Sequence, residues 1–182
     1  MAFVRFAGCS VGCPQCDTDY SVDRRLSPKE IVEEVALIAP MNLRERWVWI
    51  TGGEPYDRDL HGLISVLRAS GFLIAVATSG VHRAIAPVDW VSVAPHDYVL
   101  VQRFGAEIKL VEGLNGLKLE QWSNKNPDDT IDFFMRYVQP LAKMDGGKYC
   151  EDPDSYARCL DFLKHNPNWS LSRQDHHNWG ME

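Results

Sequence analysis

The sequence predicts an α/β protein built on a mostly parallel sheet. Short apolar segments rich in β-branched and aromatic residues alternate with segments whose apolar residues recur at helical spacing. A loop bearing Gly, Pro or Ser follows most of the strand-like segments. Strands separated by helices cannot pair as hairpins, so they pair in parallel through crossovers.

The elements follow in order. Phe3-Val4-Arg5-Phe6 is a first strand, ended by Ala7-Gly8, and residues 9–20 form a loop rich in Gly, Pro, Asp and Ser. Ser27-Pro28-Lys29-Glu30 opens a helix: Ser27 caps it, Pro28 suits its first position and Glu30 stands three after the cap. Ile31, Val32, Val35 and Ile38 carry the apolar stripe up to Pro40. Trp47-Val48-Trp49-Ile50 is a strand, and Thr51-Gly52-Gly53-Glu54-Pro55 is the loop after it. Leu60, Leu63, Ile64 and Leu67 mark a second helix, stopped by Gly71. Residues 72–77 form a strand broken at Thr78-Ser79-Gly80, and 88–93 and 107–111 form two more. The stretch 115–130 is polar and irregular. Residues 133–138 read as a strand because Gln139-Pro140 ends them, 153–164 as a helix and 169–172 as a last short strand. Trp47, Trp49, Phe133 and Phe134 are expected in the core, as is Cys159, which shares a helical face with Tyr156, Leu160 and Leu163.

The chain has 182 residues, the size of one domain spanning 1–182. A complete eight-fold β/α barrel takes about 250 residues, so a full barrel does not fit comfortably. Parallel sheets bind ligands at the carboxyl ends of their strands. The cysteine-bearing loop, Thr51 to Pro55, Thr78-Ser79-Gly80 and Ala94-Pro95-His96 all follow predicted strands and therefore share one rim.

Composition excludes several classes. Nineteen Lys and Arg against twenty-five Asp and Glu leave a net charge of -6, which argues against coating nucleic acid or anionic membrane by bulk charge. A small-molecule substrate is the better default. No run of about 18 apolar residues predicts a membrane span, and the first ten residues, with Arg5 among them, are too short for a signal peptide. Of five cysteines, Cys9, Cys13 and Cys16 fall within eight residues, while Cys150 and Cys159 lie far away. A secreted disulfide framework spreads its cysteines in pairs. Reduced cytoplasm, with the triplet binding a metal, is the reading that fits.

Cys9-x3-Cys13-x2-Cys16 places three thiolates on a loop that Gly8, Gly12 and Pro14 allow to bend. A structural zinc site wants four protein ligands, and a distant Cys150 or His would have to complete one here. An iron–sulfur cube held by three cysteines instead keeps one iron open to a substrate or cofactor. Gly-Gly-Glu-Pro alone reads equally well as a simple turn.

Taken together, the cysteine loop and the Thr51-Gly52-Gly53-Glu54-Pro55 loop after a strand resemble the radical S-adenosylmethionine superfamily. The narrower resemblance is to the 7-carboxy-7-deazaguanine synthase family. It rests on Arg5-Phe6-Ala7-Gly8-Cys9, Cys16-Asp17-Thr18-Asp19-Tyr20, Ala94-Pro95-His96, Gln139-Pro140 and Gln174-Asp175-His176, in that order along nearly the whole chain. It implies an incomplete, partial TIM-like β/α barrel of the radical S-adenosylmethionine type. It also implies a 4Fe-4S cluster, S-adenosylmethionine and Mg2+. The reaction implied is the radical ring contraction of 6-carboxy-5,6,7,8-tetrahydropterin to 7-carboxy-7-deazaguanine with loss of ammonia. A 5′-deoxyadenosyl radical would take hydrogen from C6, and the cofactor would carry the hard chemistry while the protein positions it.

By this resemblance Cys9, Cys13 and Cys16 hold the cluster and Thr18 ligates magnesium. Gln15, Cys16 and Asp17 touch the S-adenosylmethionine largely through backbone, Gly52 and Gly53 let backbone approach it, Glu54 accepts from its ammonium, and Ser79 beside Thr78 reaches its ribose. Ala94-Pro95-His96 stands where the family carries Ser-Pro-Lys. Arg5 pairs the substrate carboxylate, and Thr51, Gln139 and His176 face the pterin, with His177 a rival for His176. Family members carry about twenty residues before the strand that starts this sequence, including a Gln-Gly-Glu-Gly segment that contacts substrate. The usual N-terminal strand segment is therefore expected to be missing from the core domain. The resemblance further implies an external electron donor such as flavodoxin and a homodimer, with no membrane and no direct nucleic-acid partner. Rival readings are a glycyl-radical-enzyme activating enzyme, a non-catalytic zinc or iron–sulfur module, and a pterin-binding regulatory protein.

Overall fold

The structure is a computed structural model. It describes residues 1–14, 16, 21–39, 44–96, 100–123, 131–145 and 148–173. Seven parallel strands form its sheet: β1 (Ala2–Phe6), β2 (Trp47–Gly52), β3 (Leu73–Thr78), β4 (Trp90–Val93), β5 (Phe104–Val111), β6 (Asp132–Gln139) and β9 (Ser170–Leu171). They lie in the order β1-β2-β3-β4-β5-β6-β9, each strand beside its predecessor in the sheet. That is the order of an unrolled β/α barrel, with β1 and β9 as its two ends among the described residues. Three helices are described: α1 (Pro28–Ile38), α2 (His61–Ala69) and α3 (Pro153–His165).

The local reasons match the sequence. Ser27 accepts from Glu30 N–H, and the Glu30 carboxylate accepts from Ser27 N–H at 2.7 Å, completing the capping box at α1. Beyond the end of α2, Gly71 takes φ +78, where a side chain would be strained. Arg46, 7% exposed, donates to the carbonyls of Ala39 and Ser70 at 2.8 Å each, ties down the ends of both helices and stacks on Phe72.

One sheet face is apolar and covered. Val48, Ile50, Ile74 and Val76 pack with Val35, Leu63, Ile64 and Leu67 of α1 and α2. Val93, Ile108, Leu110 and Val138 pack with Cys159 and Phe162 of α3. Strand register sets the opposite face. Arg5 lies beside Thr51, Ala77 beside Ser92, and Ser92 beside Glu107. These residues point away from the helices, because alternate residues along a strand face opposite ways.

Three sequence expectations need correction. Phe134 is not core but 88% exposed, because α3 packs on Val138 at the far end of β6 and no described helix reaches Phe134. Trp47 and Trp49 are only half-buried, since they face away from α1 and α2. An antiparallel hairpin, β7 (Ala142–Asp145) and β8 (Lys148–Glu151), escaped the sequence reading. Its strands of four residues each are too short to show a period. The irregular stretch also contains two 3₁₀ turns, Leu114–Gly116 and Leu119–Trp122, whose Leu114, Leu119 and Trp122 are buried. Cys159 is fully buried as expected, and burial pushes its thiol pKa up to about 12.

Chemical denaturation reads the difference between these sites. Leu67→Ala removes a fully buried side chain and is expected to cost about 2–5 kcal/mol. Ser27→Ala loses the cap and is expected to cost about 1 kcal/mol. Phe134→Ser is expected to stay within about 0.5 kcal/mol of the parent.

Candidate active site

All strands of a parallel sheet end on the same edge, so the four candidate loops meet there. The cysteine loop leaves β1 with no helix or strand of its own among its described residues. It is held by the loop after β2. Gly53 N–H donates to Phe6 O at 2.8 Å, and Glu54 N–H donates to Cys9 Sγ at 3.3 Å. Asp57 accepts from Ser10 N–H at 2.7 Å and from the Ser10 hydroxyl. Arg58 donates to Ala7 O at 3.0 Å and stacks on Phe6.

The two glycines serve this clamp. A Cβ at Gly53 would stand 1.7 Å from Gly8 O, and one at Gly52, whose φ is +103, would stand 2.3 Å from Phe6 N. Gly53 thus lies against the backbone of the cysteine loop, and Gly52 against the end of β1.

Glu54 is 2% exposed and ties β2 to β3. Its Oε1 accepts from the Thr78 hydroxyl at 2.7 Å and from Tyr56 N–H at 3.1 Å. Its Oε2 accepts from Ser79 N–H at 2.8 Å and from the Ser79 hydroxyl at 2.6 Å. These four donors match the acceptor capacity of a carboxylate. The Ser79 hydroxyl gives its proton to Glu54 and keeps its oxygen lone pairs as acceptors. Burial, and then the Glu54 charge, push the Tyr56 phenol up to about 12, so it stays protonated.

The rim closes back on itself. Ala94 N–H donates to Thr78 O at 2.8 Å, and the imidazole Nδ1 of His96 contacts Cys13 Sγ. Asn115, at φ +50 in the turn after β5, donates to His96 O at 3.1 Å and hydrogen-bonds Cys13. Burial raises the Cys13 thiol above its ordinary range, with Cys16 and Cys9 pushing the same way against the Asn115 hydrogen bond.

Of the substrate candidates, Arg5 and Thr51 are register partners on the uncovered face. Gln139, 5% exposed, ends β6 and accepts from the Ser172 hydroxyl at 3.4 Å. Gln15, Asp17, Thr18, His176 and His177 lie outside the described residues. Sequence reasoning missed Asp57, Asn115 and His82, which sits 3.0 Å from Asp57. Asp57 stands three residues after Glu54, a visible signal only once that loop is known to clamp another. Asn115 has no such signal.

Three thiols outside any disulfide, with Cys9 and Cys13 receiving hydrogen bonds, suit iron–sulfur ligation, in which donors to sulfur tune the cluster. Among the described residues no three His, Cys, Asp or Glu side chains converge on one metal ion. Thiolates on separate irons need no such convergence. Fold and rim together define an enzyme core of the radical S-adenosylmethionine class, with the three-cysteine loop riding on the first strand.

No family model matches the chain. It is 33% identical over 205 residues to a 7-carboxy-7-deazaguanine synthase of Bradyrhizobium diazoefficiens, covering 98% of this chain and 88% of the relative. A protein of the same name from Escherichia coli is 33% identical over 207 residues, covering 96% and 86%. The crystal structure of QueE from Escherichia coli matches with a TM-score of 0.61 and 27% identity, over 94% of this chain and 84% of that one. The chain belongs to the 7-carboxy-7-deazaguanine synthase family.

The clamp is open to direct test. Gly53→Ala is expected to retain its circular-dichroism spectrum yet lose most of its iron and sulfide after anaerobic reconstitution, because its Cβ displaces Gly8. Asp57→Asn, which keeps one acceptor for Ser10, is expected to lose less.

Proposed function

We propose that this chain converts 6-carboxy-5,6,7,8-tetrahydropterin to 7-carboxy-7-deazaguanine with loss of ammonia, residues 1–182 acting as one core domain. The observation that carries the reading is the clamped three-cysteine loop on the rim of a sequentially ordered parallel sheet, in a chain of this family. Cys9, Cys13 and Cys16 would hold a 4Fe-4S cluster. S-adenosylmethionine would lie against Gln15, Cys16, Asp17, the Gly52-Gly53-Glu54 loop, Ser79 and Ala94-Pro95-His96. Bound there, the two supply one-electron chemistry and the species that takes hydrogen from the substrate.

The rest falls to the protein's own groups. The Arg5 guanidinium offers a fork that a carboxylate accepts bidentately. Thr51, its register partner, places a hydroxyl beside it. Gln139 offers both a donor and an acceptor at the end of β6, and His176 follows in the sequence. Glu54 is a positioning residue here, since its carboxylate holds Thr78 and Ser79 while its backbone N–H reaches Cys9. Thr18 is the residue we assign to Mg2+, with substrate oxygens and water completing the shell. An external reductant of the flavodoxin kind, a homodimer and a cytoplasmic setting complete the reading. Among the described residues no helix is long and apolar enough to cross a membrane.

Anaerobically reconstituted protein, incubated with the carboxytetrahydropterin, S-adenosylmethionine and a reductant, is expected to release 7-carboxy-7-deazaguanine and ammonium. Cys9→Ala, Cys13→Ala or Cys16→Ala is expected to abolish the product. Iron and labile sulfide are expected on metal analysis. One zinc per chain, or intact pterin in the presence of a loaded cluster, would count against the assignment.

A further inference from the structure

The sheet face that the helices leave uncovered carries charges that pair with nothing among the described residues. Arg5 on β1 and Glu107 and Lys109 on β5 all point to it, and none forms an ion pair with a described residue. Arg5 pairs in register with Thr51, and Ala77 with Ser92 and Glu107; the Ile50–Val76 pair one residue before Thr51 and Ala77 sets these two runs level, as one row across five adjacent strands. Long charged side chains stand at its ends, and alanine, serine and threonine lie between. Ala75, one pleat below Ala77, lines up with Trp49 and Trp90. Small residues between charged ones would leave a shallow trough, polar at both ends.

We propose that Glu107 is a specificity residue that reads the pyrimidine edge of the pterin; this rests on the substrate assigned above. The edge of a 2-amino-4-oxo pterin presents two N–H donors side by side, from N3 and from the exocyclic amine. A carboxylate accepts such a parallel pair bidentately, as it does a guanidinium. Glu107 is prepared for this. Ser92, 6% exposed, donates its hydroxyl to Glu107 Oε1 at 2.6 Å and fixes the carboxylate. That leaves one lone pair on Oε1 and both on Oε2. Arg5 at the other end of the row suits the substrate's own carboxylate, so the two ends of the trough match the two ends of the ligand in sign. Beyond accepting from Ser92, Glu107 meets no cationic partner among the described residues. Lys109, two residues on along the same face, is not within bonding distance of it, and the neighbour on β6 is Met135.

Binding is measured anaerobically by calorimetry, with the full chain and without S-adenosylmethionine, so that catalysis does not enter. Two probes are used: 6-carboxytetrahydropterin and its 2-oxo analogue, which turns an oxygen toward Glu107. The parent is expected to bind the 2-amino compound and to reject the 2-oxo one. Glu107→Gln is expected to lose about tenfold or more on the 2-amino compound and to gain on the 2-oxo compound, because a glutamine amide can donate to that oxygen. A merely structural role for Glu107 would not invert this preference. Ser92→Ala is expected to lower the same 2-amino to 2-oxo ratio by less, and it replaces Glu107→Gln as the probe should that variant not fold. Parent protein that binds the pterin while either folded variant keeps the parent ratio overturns the role of Glu107. Parent protein that binds neither compound overturns the substrate assignment instead.

Discussion

The candidate site depends on one constraint: the loop after β1 is shaped from outside, by the loop after β2. A segment carrying three cysteines, two glycines and a proline has few internal hydrogen bonds to offer. It finds partners in Glu54, Asp57 and Arg58 instead, while Gly53 bonds Phe6 at the end of β1. The approach is close enough that Gly53 has no room for a single carbon. Preorganisation of this kind matters for a reactive centre, because ligands held by a rigid neighbour need not be gathered when the centre assembles.

The same constraint extends around the rim. Glu54 spends its carboxylate on Thr78 and Ser79, Ala94 bonds back to Thr78, and His96 returns to Cys13. Each loop is therefore fixed by its neighbour, and the last fixes the first. A buried carboxylate satisfied by four donors is stable only as a complete set, so change at one loop is felt at the others. Asn115 adds a fifth segment to this circuit from the turn after β5.

The two faces of the sheet divide the labour. Aliphatic side chains of alternate residues seat α1, α2 and α3 and supply the stability. The residues between them, Arg5, Thr51, Ser92, Glu107 and Lys109, are free to be polar because they do not carry the core. A one-residue slip in any strand would exchange the two sets.

Much of this was legible from sequence. Alternation of strand and helix, the Ser27 to Glu30 cap, the stop at Gly71 and the position of the rim loops are local or periodic signals, and they hold. The cysteine spacing and the Gly-Gly-Glu-Pro loop carry the resemblance to the family, which the relatives bear out. Cys159 announced its burial by its helical position, although Leu160, placed on the same face, is 40% exposed; Phe134 misled because a strand pattern does not say how far a helix on another segment reaches. The hairpin of β7 and β8 was too short to declare itself.

What the amino-acid order determined was therefore which elements form and which loops carry reactive groups, since capping, turn chemistry and periodicity act over a few residues. Only the tertiary structure decided what those groups touch: that Glu54 and Ser79 bind one another, that Asp57 holds Ser10, that Asn115 and His96 meet Cys13, and that Glu107 shares a row with Arg5. Those relations join positions 25 to 102 apart along the chain. Such distances are set by sheet register and packing, which no local signal encodes.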